Sequence, residues 1–184
     1  MSHDAALVDA LSRRPMTTFS GAVYRATSPS YDPLIASTRG GRWSTFGGPA
    51  VLYTSLERDG ALAEITFHWS QLTPIPKRPV ALHTLTVETT KTLRLVRADL
   101  ASLGVEDVNY ESINYQRTQE IGAALAFLGC EGLIAPNARW PCENLMIYMD
   151  NVPLDRSFAV TASSNISWID WARRNGRLAG TAPD

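Results

Sequence analysis

The chain has 184 residues, 45% hydrophobic and 19% charged, with a formal net charge of −1. That is enough to bury a sizeable core in one domain over residues 1–184, and the near-neutral charge excludes a global basic field for nucleic acid or for an anionic membrane surface. No apolar run approaches the ~18 residues that span a bilayer, the start Met1-Ser2-His3-Asp4 lacks a signal-peptide pattern, and Cys130 and Cys142 are too isolated for a disulfide framework, so the chain reads as cytoplasmic with reduced thiols.

Residues 4–14 predict a short amphipathic helix capped by Asp4, with Leu7, Val8 and Leu11 on one face and Pro15 beyond its end. Phe19 to Arg25 predicts a strand. Arg25 ends an otherwise apolar run, so its charge is either paired structurally or aimed at an anionic ligand. Residues 27–49 are rich in Ser, Thr, Pro and Gly and form a long loop, a length that is often functional. Ala50 to Tyr53 is a short strand. Ser55 is placed to cap a helix over 56–71, on which Glu64 and His68 lie one turn apart. That pair suggests a metal only with a third ligand, and neither a third ligand nor a zinc motif is visible.

After Pro74, Pro76 and Pro79, residues 80–88 predict a strand and Leu93 to Val96 a second, short one. Asp99 to Val105 reads as a turn or single helical turn. Residues 111–128 predict a helix with Ile113, Ile121, Leu125 and Leu128 inward, stopped by Gly129. Leu133-Ile134-Ala135 and Glu143 to Tyr148 are strands, and 156–162 adds another. The tail carries Trp168, Trp171, Arg173, Arg174 and Arg177, which either cover the core or dock a partner. There is no linker, repeat or low-complexity segment.

The stretch Gly40 to Glu64 is the richest in chemistry. Gly40-Gly41-Arg42-Trp43 makes a flexible, cationic, aromatic loop. Glycine lets backbone approach a ligand closely, arginine offers a planar fork for phosphate, and Trp43 and Tyr53 offer stacking faces. Glu64 is the natural counter-charge to a cationic centre. This inventory suits a phosphorylated ligand with a ring and a positive charge, such as a pyridinium dinucleotide; the other reading is a surface hairpin loop before an ordinary helix. No Gly-x-Gly-x-x-Gly fingerprint is present, which argues against a Rossmann dehydrogenase.

These pieces together resemble the RES-domain toxins of bacterial toxin–antitoxin pairs (RES–Xre type), named for an arginine, a glutamate and a serine. The matching parts are Val23-Tyr24-Arg25, Gly40-Gly41-Arg42-Trp43, Val51-Leu52-Tyr53-Thr54-Ser55, Ala61-Leu62-Ala63-Glu64, Gly132 to Arg139, and Asn144 to Tyr148. The likeness covers about residues 20–150, leaving an N-terminal helix and an aromatic, basic tail outside it.

The resemblance implies an α+β fold similar to ADP-ribosyltransferase toxins, with two small sheets flanked by helices and the ligand in a cleft between the sheets. It implies an enzyme whose substrate is NAD+, cleaving the nicotinamide–ribose bond by hydrolysis or phosphorolysis, without a metal. The family arginine falls on Arg25, the glutamate on Glu64, an associated tyrosine on Tyr53, and the serine position on Asn137, a departure that leaves the ADP-ribose acceptor open among water, phosphate and a protein. Arg25 or Arg42 is expected to hold the pyrophosphate, with Gly41, Trp43 and Tyr53 around the ligand. Arg25 is expected to be held by packing, and Arg42 to be mobile until a phosphate orders it. The implied partner is a cognate helix-turn-helix antitoxin of the Xre type that blocks the cleft. Two other functions compete: mono-ADP-ribosylation of a specific protein, and a non-catalytic nucleotide-binding or interaction module.

Overall fold

The computed structural model describes residues 3–178, with the side chain of Asn109 outside the description. Helix α1 (Ala5–Ser12) starts where Asp4 accepts from the backbone N–H groups of Ala6 and Leu7, at 3.0 and 3.3 Å. The strands are β1 (Thr17–Thr27), β2 (Val51–Ser55), β3 (Val80–Arg94), β4 (Gly132–Pro136), β5 (Glu143–Tyr148) and β6 (Ala159–Ile166). The other helices are α2 (Arg58–Trp69), α3 (Arg97–Ser102), α4 (Asp107–Tyr110), α5 (Gln116–Phe127) and α6 (Trp168–Arg174).

The strand order is β1-β2-β5-β4-β3-β6, and β1 also pairs with β3. That extra pairing closes β1, β2, β5, β4 and β3 into a small barrel and leaves β6 on its flank. The expected two small sheets are its halves, β6-β3-β1 and β2-β5-β4. They are joined by two short seams: the single β1–β2 pair Tyr24↔Ser55, and the parallel β3–β4 register from Thr92↔Gly132 to Arg94↔Ile134. Strand side chains alternate between faces. Every barrel strand therefore sends apolar side chains inward: Val23, Leu52, Leu85, Val87, Ile134, Leu145 and Ile147 form one buried cluster. Outside, α1, α3 and α5 pack on Leu93, Leu133 and Met146. The tryptophans of α2 and α6 cover Val80 and Leu82. Trp168 and Trp171 are 1% and 6% exposed, so those tail aromatics belong to the core.

Three sequence expectations change. The separate strands over 80–88 and 93–96 are one strand, β3, from 80 to 94. The apparent break at Glu88-Thr89-Thr90-Lys91 is a register shift: Thr17 pairs with Thr92, but Phe19 pairs with Thr89. Such a bulge bends a strand without ending it. Glu131 fixes it, accepting from Thr90 N–H and Oγ1, both at 2.7 Å. The helix expected over 111–128 begins only at Gln116, and Ile113 is 72% exposed. Ser112 and Asn114 form local side-chain turns with the backbone N–H groups of Asn114 and Gln116, which compete with helical bonds. Ser55 does not cap α2. The N-cap is Glu57, without a side-chain bond, and Ser55 Oγ accepts from the Glu57 N–H one step earlier.

Helix α5 also holds the Gly40–Ser44 loop. Gln119 Nε2 donates to Gly41 O at 2.9 Å, and a methyl built on Gly122 overlaps the Trp43 carbonyl. The helix sits where it does because residue 122 lacks a side chain. Gly122→Ala is therefore expected to lower stability by about 1–3 kcal/mol, as overpacking does, and to push the loop outward. Thermal unfolding compared with Ala123→Gly, a control at the neighbouring position, reads this. A Gly122→Ala melt matching wild type overturns it.

Candidate active site

A cavity of about 310 Å³ opens where α2, the ends of β1 and β2, the Gly40–Trp43 loop and the start of α5 meet. Arg25, Gly41, Arg42, Trp43, Tyr53 and Glu64 all line it. His68, Tyr115 and Asn144 line it as well. The size falls within the range of small-molecule sites.

Glu64 is on the inner turn of α2. Its Oε1 accepts from Asn144 Nδ2 at 3.2 Å. Asn144 Oδ1 in turn accepts from Asn137 Nδ2 at 2.8 Å. Asn137 does not line the cavity. It is 4% exposed; its Nδ2 also donates to Gly60 O at 3.3 Å, and its Oδ1 accepts from the N–H groups of Arg139 and Trp140 at 2.7 and 3.1 Å. An amide offers two donors and one acceptor oxygen, and all are engaged here. Asn137 braces the β4–β5 turn and reaches Glu64 only through Asn144.

Asn144 is the site residue that sequence reasoning passed over, although it opens the matched Asn144–Tyr148 segment. Asn144→Leu removes the hydrogen bond to the Glu64 carboxylate, roughly 1.5–3 kcal/mol, and also the bond that Asn144 Oδ1 accepts from Asn137 Nδ2. About a tenfold or greater loss in kcat is expected, with KM for the cavity's substrate nearly unchanged. Steady-state kinetics checks this, and a pure KM effect contradicts it.

The two arginines are held differently from expectation. Arg25 Nη1 donates to Pro33 O and Ile35 O at 2.8 and 2.9 Å, so much of its donor capacity ties down the long loop. Arg42 is not waiting for a ligand to order it. Its guanidinium lies between the rings of Tyr110 and Tyr115, 4.7 and 4.6 Å from their centroids, and Nη2 donates to Ser112 O at 3.3 Å. The surrounding loop is pinned by Gln119 and by Trp43 N–H donating to Tyr53 Oη at 3.3 Å. The glycine flanks do not leave this loop without support, because α5 packs directly on its backbone. Burial pulls the pKa of both guanidiniums down, offset at Arg42 by Tyr110, Tyr115 and Glu64. Arg42 Nη1 is buried and finds no partner among the described residues.

Tyr53 lies against the loop: a methyl on Gly41 would sit 2.7 Å from Tyr53 Oη, so Gly41 is required for this approach. Burial raises the Tyr53 pKa to about 12, which keeps the phenol protonated and able to donate at neutral pH. Trp43 lines the cavity with only 2% exposure and is part of the core, so its ring supports the loop more than it offers a stacking face. Tyr115, half-buried, also lines the cavity, as do the aromatic rings of Tyr24 and Tyr53. Burial lowers the His68 pKa and favours the neutral ring, while the Glu64 carboxylate opposes this and Arg139 adds to it.

Comparisons with known proteins bear on the family and the fold. A probable NAD(+) phosphorylase of Mycobacterium tuberculosis (strain ATCC 25618 / H37Rv) is 30% identical over 156 residues, 80% of this chain and 73% of that protein. A chain in the crystal structure of the M. tuberculosis MbcT–MbcA toxin–antitoxin complex superposes with a TM-score of 0.79 at 19% identity, covering 92% of this chain and 97% of its own, so the fold is shared. The model of the RES domain matches residues 16–169, the whole span from β1 into α6 that builds the cavity, and the chain belongs to the RES domain family.

Proposed function

We propose that this chain cleaves the nicotinamide–ribose bond of NAD+ and is the toxin of a toxin–antitoxin pair. The observation that carries the reading is one cavity lined at once by a held carboxylate, Glu64, a clamped guanidinium, Arg42, and a protonated phenol, Tyr53. As the bond between ribose C1 and the pyridinium nitrogen breaks, nicotinamide leaves with the electron pair as a neutral molecule. Positive charge develops on the sugar, and a carboxylate fixed beside it lowers the barrier. Glu64 takes that role, with Asn144 orienting it. Arg42 holds a phosphate of the dinucleotide, and Tyr53 donates to the ligand.

The acceptor is inorganic phosphate in this reading, supported by the likeness to a probable NAD(+) phosphorylase. With Asn137 fully engaged in bracing a turn, its place at the family serine position no longer favours a protein acceptor. The partner is an antitoxin of the Xre type that covers the cavity in the cytoplasm. The toxin–antitoxin neighbour supports a covering partner, as do Phe46 and Ile113, 84% and 72% exposed beside the segments bearing Arg42 and Tyr115. No helix among the described residues is long and apolar enough to cross a membrane.

The test is product analysis after incubating the purified chain with NAD+. Nicotinamide with phosphorylated ADP-ribose is expected when phosphate is present. Free ADP-ribose alone would make the enzyme a hydrolase, and a protein adduct would make it a transferase. No nicotinamide under any of these conditions overturns the reading and leaves a binding module.

A further inference from the structure

A second cavity of about 410 Å³ lies behind the turn from β4 to β5. It shares Pro136 and Ala138 with the first, and Arg97, Arg139 and Arg177 line it against a single acidic residue, Glu111. Arg97 is engaged by Asp107 at 3.0 Å and by the Tyr110 ring. Arg139 is not engaged by any carboxylate among the described residues. It stacks 3.4 Å over the Phe67 ring, and its Nη1 donates to Glu111 O. The next carbonyl along the chain, Ser112 O, accepts from Arg42. Two guanidiniums are thus docked on successive carbonyls of one turn, each over aromatic ring surface, and among the described residues neither forms an ion pair with a carboxylate.

Each also keeps one buried nitrogen without a partner, Arg42 Nη1 and Arg139 Nη2. Buried charged donors are seldom left unpaired. Having two such donors on neighbouring like charges is a further cost, since the cations repel. An anion spanning both nitrogens removes each penalty. A tetrahedral dianion matches two cations and two forks better than a single carboxylate does.

We propose that Arg42 and Arg139 together form a seat for a phosphate group at the boundary of the two cavities. The proposal deepens the reading of NAD+ cleavage, and the phosphate has two sources: the diphosphate of the dinucleotide, or inorganic phosphate as a separate co-substrate. Arg139 is the new member. It closes the matched Gly132–Arg139 segment, to which the sequence alone assigns no ligand role at residue 139.

The experiment is calorimetric titration of the full chain carrying Glu64→Gln, with ADP-ribose and with inorganic phosphate, and then with phosphate in saturating ADP-ribose. Adding Arg139→Gln is expected to weaken the phosphate-bearing ligand roughly tenfold or more. Arg139→Lys keeps the charge without the fork and should recover part of that loss; it also serves if the glutamine variant does not fold. Exclusion of phosphate by ADP-ribose assigns the seat to the dinucleotide, and simultaneous binding assigns it to the co-substrate. Binding unchanged in both Arg139 variants, or no binding of either ligand to the parent, overturns the seat. Calorimetry does not depend on turnover, so a wild-type chain that releases no nicotinamide would remove the activity while the seat is still decided.

Discussion

Glu64→Gln is expected to reduce nicotinamide release by on the order of 10²- to 10³-fold, the size of effect seen when one preorganised electrostatic group is removed from a reacting centre. The substitution keeps shape and length. Glutamine Oε1 can still accept from Asn144 Nδ2, so the chain Asn137–Asn144–residue 64 survives and only the charge is lost. The melting temperature should match wild type. KM for NAD+ should change little, because the missing charge acts on the cationic sugar of the transition state more than on the bound dinucleotide. Glu64→Asp is the informative companion. It retains the charge but withdraws it by one methylene from Asn144, so its rate should fall between the two. A Glu64→Gln rate equal to wild type removes the catalytic assignment, and a Glu64→Asp rate below that of Glu64→Gln shows that position outweighs charge.

Much of the site was legible because it is built from consecutive elements. Gly40 to Glu64 runs from loop to strand to helix with only short connections, so residues near in sequence converge in space. Arg25 joins them because Tyr24 pairs with Ser55 across the β1–β2 seam. What sequence could not show came from distant segments. The contacts that hold Arg42 and its loop come from Tyr110, Tyr115, Gln119 and Gly122, and the periodicity of 111–128 predicts helix where Tyr115 precedes it. The role of Asn137 was misplaced for a related reason: its motif position is conspicuous, but its amide points into the β4–β5 turn, where only the fold reveals its partners. In β3, the polar run at Glu88–Lys91 looked like a break because Glu131, which stabilises the bulge, lies some forty residues later.

Arg42→Ala is expected to cost NAD+ cleavage more than Arg25→Ala, and the structure gives the reason. Arg42 is clamped between two tyrosine rings with one nitrogen free, so a phosphate contact there needs little further ordering. Loss of such a held contact costs about 2–4 kcal/mol in kcat/KM, or about 30- to 1,000-fold. Arg25 already gives Nη1 to the Pro33 and Ile35 carbonyls, so its truncation acts first by loosening the loop over residues 28–36. A drop of about tenfold follows from one residue that must be re-ordered on binding, at roughly 1–2 kcal/mol. Stability should run the other way. Arg25→Ala deletes two hydrogen bonds from a charged guanidinium to backbone, both made by one nitrogen and together worth about 1.5–3 kcal/mol, and should melt earlier. Arg42→Ala loses its ring contacts and one hydrogen bond, to Ser112 O, but also relieves a buried charge with an unpaired donor, so it should melt closer to wild type than Arg25→Ala does. Adding ADP-ribose separates the two further, raising the melting temperature of the Arg25 variant but not of the Arg42 variant. A larger activity loss at Arg25, with ADP-ribose still stabilising Arg42→Ala, would place the principal phosphate contact on β1 and reduce Arg42 to a clasp for the aromatic turn.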